Sequence, residues 1–357
     1  MLQQRGGMTF TEIMEQPAAW EDVFQKFDLA RDDLLSWFKE RDFRRVIFLG
    51  CGASHYAGLS AAHTFQRMTG LFSFAFPSSE VLCTPENMVD KEGKTLYIAI
   101  SRSGETSETV WAMEKIRELN PAASILVLTC RPESALGSLA DKKLVFERSH
   151  EQGIVMTKSF TSLLLACYLL AGWVGDKKEF IMELERLPSL FDLKRFQKVL
   201  QESGTLKELN QFLYLGSGSN FGLACAGVLQ MKEMANGFGT AVHSLEYRHG
   251  HISSITPQLL TVLFISDSLK KAEEELLGEI AGEKAYTIAL CDEAGEGRLR
   301  YAAQTLLEMK LGLSDPARGI LAVTVTQLLA FYRAISKGAN PDRPKHLNSV
   351  VKLKEKI

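Results

Sequence analysis

Phe48-Leu49-Gly50-Cys51-Gly52-Ala53-Ser54 returns in altered form as Tyr214-Leu215-Gly216-Ser217-Gly218-Ser219-Asn220. Each stretch starts apolar, turns on Gly-x-Gly and enters a helical pattern, which closes near residues 66–70 in the first case and 230–237 in the second. In each half a further apolar strand follows, at 96–100 and at 259–265. Such self-similarity marks two copies of one α/β unit.

Working outward, candidate strands of the first half fall at 46–49, 72–76, 96–100, 125–129 and 144–146, with helical patterns between most of them. This alternation predicts a parallel, doubly wound sheet. Two helices are expected ahead of it, at 12–27 and 30–39, with Pro17 early in the first. A long apolar helix is expected at about 155–173, and a charged amphipathic stretch at about 176–210 links the halves. The domain reading is therefore N-terminal helices at 1–42, a first α/β domain at 43–175, a helical linker at 176–205 and a second α/β domain with a C-terminal tail at 206–357. Gly338 and Pro341 stop the last helix, and an extended, partly basic terminus follows.

Composition narrows the classes. The chain has 357 residues, 46% apolar and 24% charged, which is ordinary for a soluble globular protein. A net charge of −2 with no basic block points away from nucleic acid. The six cysteines show no C-x-x-C spacing and several sit in apolar runs, so reduced, buried thiols in a cytoplasmic protein are expected. The N-terminus has no apolar signal core, and the longest apolar stretch, near 163–174, is too short to span a bilayer. No membrane association is expected.

The chemistry concentrates at Ser101-Arg102-Ser103-Gly104-Glu105-Thr106, between a buried strand and the start of a helix. Backbone N–H groups at a helix N-terminus attract anions, three hydroxyls add neutral donors, and Gly104 allows close approach. The loop has no lysine, so it is not a Walker-A loop. A capping box would account for one serine and one glutamate, but not for three hydroxyls around a glycine. A phosphomonoester is the expected ligand. The Gly50-Cys51-Gly52 turn is not a dinucleotide fingerprint, because His55 stands where the third glycine is required.

The second half differs. After Leu263-Phe264-Ile265 comes Ser266-Asp267-Ser268-Leu269, where Asp267 repels phosphate, so one phosphate site per chain is expected. This half offers Lys232-Glu233 near a helix end and Glu246-Tyr247-Arg248-His249-Gly250-His251. A carboxylate and an imidazole suit aldose–ketose isomerisation, with histidine opening the sugar ring near neutral pH. Taken without other context, Glu233 reads better as a solvated helix residue, while an ion pair with Arg248 accounts for Glu246 and a surface position for His251. The H-x-H spacing lacks a third ligand, so no metal is expected, and no cofactor.

These motifs together resemble the SIS (sugar isomerase) family, in particular tandem-SIS phosphosugar isomerases and deaminases and the isomerase half of glucosamine-6-phosphate synthase. The resemblance runs from about Phe43 to Val351 and includes Val155-Met156-Thr157-Lys158-Ser159-Phe160-Thr161 and Asn340-Pro341-Asp342. It implies two flavodoxin-like αβα sandwiches with parallel sheets, assembled as a homodimer with sites between subunits. It implies that Ser101, Ser103 and Thr106 bind a sugar 6-phosphate, with the backbone at Arg102 and Gly104. Cys51, Gly52, Ala53, Ser54 and Val155 would line the sugar pocket. Glu233 falls at the enolisation base and His249 at the ring-opening histidine. Two synthase lysines are replaced, by Ser349 in the tail and by Gln230 on the helix, and the sequence leaves open whether Arg248 or His251 replaces the missing lysine. An N-terminal glutaminase domain is also missing, which favours ammonia release or simple isomerisation. The implied activity is a phosphosugar isomerase or a glucosamine-6-phosphate deaminase. The alternatives are a fructosamine-6-phosphate deglycase and a non-catalytic sugar-phosphate-binding regulator.

Overall fold

The computed structural model describes residues 5–355, which form two compact units. One comprises Glu15–Gln152, Lys158–Pro188 and the described residues from Asn348. The other comprises the described residues up to Met14, Gly153–Thr157 and Ser189–Leu347.

Helix α1 (Gly7–Met14) belongs to the second of these units and α2 (Gln16–Arg41) to the first. Sequence periodicity placed helices at 12–27 and 30–39 instead. Pro17 explains the difference: it lies in the opening turn of α2, where its missing N–H costs nothing, and no breaker interrupts the helix near residue 29.

The first unit continues with β1 (Arg45–Gly50), α3 (Ala53–Thr69), β2 (Phe72–Pro77), α4 (Ser78–Cys83), α5 (Pro85–Met88) and β3 (Thr95–Ser101). Then come α6 (Ser107–Leu119), β4 (Ser124–Thr129), α7 (Ala135–Leu139), β5 (Lys142–Val145), α8 (Lys158–Val174) and α9 (Lys178–Glu185). Its strands form a parallel sheet in the order β2-β1-β3-β4-β5. The last strand starts two residues before the expected 144–146, because Lys142 pairs with Leu126. Its two lysines mark it as an edge strand. The inner strands are buried on both faces. Ile47, Leu49, Tyr97 and Ala99 pack with Met113 and Ile116 of α6, while Phe48 meets Phe65 of α3 on the other side. Burial on both faces is why these strands read as continuous apolar runs.

After α10 (Leu187–Leu190), the second unit contains α11 (Lys194–Thr205), β6 (Gln211–Gly216), α12 (Ser219–Ala235), β7 (Phe238–His243), β8 (Leu259–Phe264) and α13 (Lys270–Gly282). It ends with β9 (Tyr286–Cys291), α14 (Leu299–Ala302), β10 (Thr305–Glu308) and α15 (Asp315–Ser336). Its parallel sheet has the order β7-β6-β8-β9-β10, the same winding as the first. α13 covers one face through Leu276, Leu277 and Ile280. Gly227 of α12 stands against Tyr214, which points to the other face. α15 is long and apolar enough to cross a membrane by composition, but most of it is buried within the protein, as in a core helix.

The two Gly-x-Gly turns share one geometry. Gly52 and Gly218 are the N-cap residues of α3 and α12, at φ 54°, ψ −125° and φ 60°, ψ −131°. A side chain is strained at such a positive φ. Glycines recur here for backbone shape, which needs no dinucleotide.

Candidate functional site

In both sheets strand order reverses beside the first strand, so the crevice lies at the carboxyl ends of β1 and β3 in one and of β6 and β8 in the other. In the first unit this brings together the turn holding Cys51, Gly52, Ala53 and Ser54 and the loop Ser101–Thr106, because β1 and β3 are hydrogen-bonded neighbours.

The loop is held open by its own atoms. The Ser101 Oγ accepts the Gly104 N–H at 3.0 Å, and the Ser103 Oγ accepts the Glu105 N–H at 3.2 Å. Gly104 sits at φ 66°, and its carbonyl accepts the Leu136 N–H at 3.1 Å. Thr106 is the N-cap of α6, yet its side chain makes no capping bond. Glu105 does not close a capping box on this helix. Its carboxylate accepts the Ala135 N–H at 2.7 Å and pairs with Lys352 at 3.2 Å. The Ala135 bond foremost, then Lys352, holds its pKa below the usual carboxylate range.

Arg102 is buried, with Glu151 and Ser349 among its partners. One guanidinium nitrogen lies 3.3 Å from the fully buried Glu151 carboxylate, and the other donates to the Ser349 carbonyl at 2.8 Å. Glu151 also accepts from the Ser159 N–H and hydroxyl. The tail follows the loop further: the Ser107 N–H donates to the Val351 carbonyl at 3.2 Å, and the Leu353 N–H to the Ser107 Oγ at 2.9 Å. Ser349 thus stands beside the loop through its main chain.

Cys51 is half-buried, and its Sγ lies 3.5 Å from the Thr109 Oγ1, which accepts from Ser78 at 3.0 Å. Burial pushes the Cys51 thiol above its ordinary pKa, which leaves it a neutral wall group rather than a nucleophile. Sequence reading missed Thr109 and Ser78. Their signal is positional: Ser78 directly follows β2, and Thr109 lies in the first turn of α6.

The second unit shows what became of the duplicate loop. Strand pairing sets Leu49 beside Ala99 and Leu215 beside Leu263. The same count places Ser217, Ser244 and Glu273 at the counterparts of Cys51, Ser78 and Thr109. Glu273 is fully buried, and its carboxyl accepts the Ser266 N–H at 2.7 Å and the Ser266 hydroxyl at 3.2 Å. Burial raises its pKa, and the nearby Ser244, Ser266 and Ser217 only partly offset this. The Asp267 N–H is given to Asp315 at 3.1 Å, and Arg318 binds both aspartates. Donors that a phosphate would need in this copy are taken by the protein's own carboxylates.

The remaining expected site residues lie in this second unit. Val155 is buried, and the adjacent Met156 carbonyl accepts from the Gln230 Nε2 at 3.3 Å. Gln230 is therefore committed to the backbone beside Val155. Glu233, one turn further along α12, is half-buried. His249 is exposed and ends the short turn Leu245–Arg248. Arg248 is held by Glu279 through two contacts of 2.9 Å, and His251 lies parallel to Tyr247 at 6.2 Å. Among the described residues no group of three His, Cys, Asp or Glu side chains could hold a metal ion.

Fold and loop define a duplicated doubly wound protein with a hydroxyl-lined loop, Ser101–Thr106, at the carboxyl end of β3. A SIS domain model matches residues 41–172 of the chain. The chain is 28% identical over 346 residues to the glutamine–fructose-6-phosphate aminotransferase (isomerizing) of Aquifex aeolicus, covering 95% of this chain and 57% of that one. The chain thus spans little more than half the length of that relative. The solved glucosamine-6-phosphate deaminase of Thermotoga maritima superposes with a TM-score of 0.79 at 28% identity, covering 97% of this chain and all of the other. The Escherichia coli tagatose-6-phosphate ketose/aldose isomerase shares the fold, with a TM-score of 0.83 at 23% identity over 95% of this chain and 96% of that one.

Proposed function

We propose that this chain is an aldose–ketose isomerase/deaminase acting on a hexose or aminosugar 6-phosphate, of the glucosamine-6-phosphate deaminase type. The observation that carries the reading is the Ser101–Thr106 loop: a hydroxyl-lined turn at a helix start, beside the strand reversal, with the Thr106 hydroxyl unused for capping. Ser101, Ser103, Thr106 and the backbone at Arg102 and Gly104 take the phosphate. Cys51, Gly52, Ala53, Ser54, Val155 and Ser349 contribute to the sugar pocket.

His249 opens the pyranose ring by proton transfer, exposing the C1 aldehyde. Glu233 takes the C2 proton and returns it to C1, passing through an enolamine to the C2 imine. Water then hydrolyses the imine, releasing ammonia and leaving the ketose phosphate. Glutamine and serine at the two synthase lysine positions support release of ammonia over its capture, as does the likeness to the Thermotoga deaminase. We read the protein as a cytoplasmic homodimer, the compartment supported by six free cysteines and the dimer by the family resemblance.

The test is ammonia and fructose 6-phosphate formation from glucosamine 6-phosphate. Wild-type turnover that Glu233→Gln abolishes supports the reading. No turnover, with a hexose 6-phosphate thermal shift that Ser103→Ala removes, overturns the deaminase assignment and leaves the phosphate loop standing.

A further inference from the structure

His249 is exposed on a four-residue turn and is followed by Gly250 at φ 102°. An imidazole so placed has little packing of its own to orient it. The turn before it is fixed from α13. Tyr247, almost fully buried, packs in one cluster with Leu276, Leu277 and Ile280 of that helix. Arg248 makes a fork onto Glu279: Nε to Oε2 at 2.9 Å and Nη2 to Oε1 at 2.9 Å. A third contact runs from Nη2 to the Ala272 carbonyl at 3.4 Å. The His249 N–H closes the turn on the Glu246 carbonyl at 2.9 Å. Arg248 is thus the last side chain anchored to the helix before the histidine.

The Arg248 and Glu279 side chains are 29% and 46% exposed. An ion pair that open contributes little to stability, but a two-point fork fixes direction. We propose that Glu279 is a positioning residue for His249, acting through Arg248. This rests on the assignment of His249 as the ring-opening group.

The test pairs a structural readout with a kinetic one. In protein labelled with ¹⁵N-histidine, the His249 imidazole signal is assigned with His249→Asn and followed in Glu279→Gln. We expect that signal to shift or broaden while those of His55 and His243 stay in place. With glucosamine 6-phosphate, Glu279→Gln should lower kcat by about 10- to 100-fold. KM should stay within about twofold, as for a loss felt only in the transition state. The melting temperature should move by less than ~4 °C. The charge swap Arg248→Glu with Glu279→Arg should recover much of the kcat, a non-additive cycle that mere surface charge does not produce.

An unmoved His249 signal in Glu279→Gln overturns the proposal. So does a kcat loss matched by unfolding, or a swap no better than its single variants. If the signal moves but the wild type turns over no sugar phosphate, the positioning stands and the proposed reaction fails.

Discussion

Gly104→Ala is the sharpest perturbation of the Ser101–Thr106 loop. Gly104 lies at φ 66°, and a β-carbon built there would stand 2.4 Å from the Ser134 Oγ and 2.5 Å from the Ser134 Cβ. Rotating the hydroxyl cannot relieve the second contact, because a Cβ is fixed by its own backbone. Two costs add: about 1–2 kcal/mol for a left-handed alanine and about 1–3 kcal/mol for overpacking. The sum is about 2–5 kcal/mol. Gly93 provides the control, at φ 73° with nothing within 4 Å of its built β-carbon; Gly93→Ala should cost only the first term. Adding Ser134→Gly to Gly104→Ala should return most of the second term. That change removes the hydroxyl capping α7 through the Gly137 N–H, but glycine is a nearly equivalent N-cap. Urea denaturation of the three variants against the wild type measures each cost. Isothermal titration with glucose 6-phosphate should show Gly104→Ala binding at least ~10-fold more weakly, the equivalent of one lost charge-assisted hydrogen bond. Equal destabilisation in Gly104→Ala and Gly93→Ala, with sugar-phosphate affinity unchanged, would refute the reasoning.

Glu151→Ala should destabilise the first unit by about 3–5 kcal/mol by leaving the Arg102 charge buried without its carboxylate, and denaturation midpoints would report it. A cost below ~1 kcal/mol would mean that Arg102 escapes to solvent. Glu273 has a pKa raised by burial, so its folding contribution is complete below the unfolded carboxyl pKa and is lost as pH rises through the folded value. Glu273→Gln should therefore gain melting temperature over wild type as pH increases from 4 to 8. A difference independent of pH would remove the buried acid from the account.

Much of the fold was legible because strand burial writes itself into sequence. Runs such as Leu96–Ile100 are apolar at every position because helices cover both faces. The repeat was legible because Gly52 and Gly218 must hold the same positive φ. The Ser101–Thr106 turn at the end of β3 was legible for a similar reason, since its hydroxyls and Gly104 lie within six residues of chain. The helix boundaries near Pro17 were not, since apolar spacing alone does not say where a helix starts.

By itself, the sequence determined the two parallel sheets, the crevice loops at their strand ends and the candidate groups Ser101–Thr106, Glu233 and His249, all carried by local pattern. Only the tertiary structure decided which groups are already engaged. Glu151 neutralises Arg102 across 49 positions of chain, and the tail carbonyl of Ser349 reaches the same guanidinium across 247. Glu279 takes Arg248, Gln230 takes the Met156 carbonyl, and Glu273 fills the second copy's donors. A charge or amide names its chemistry in the sequence, but its partner is chosen by which backbone folding brings within about 3 Å.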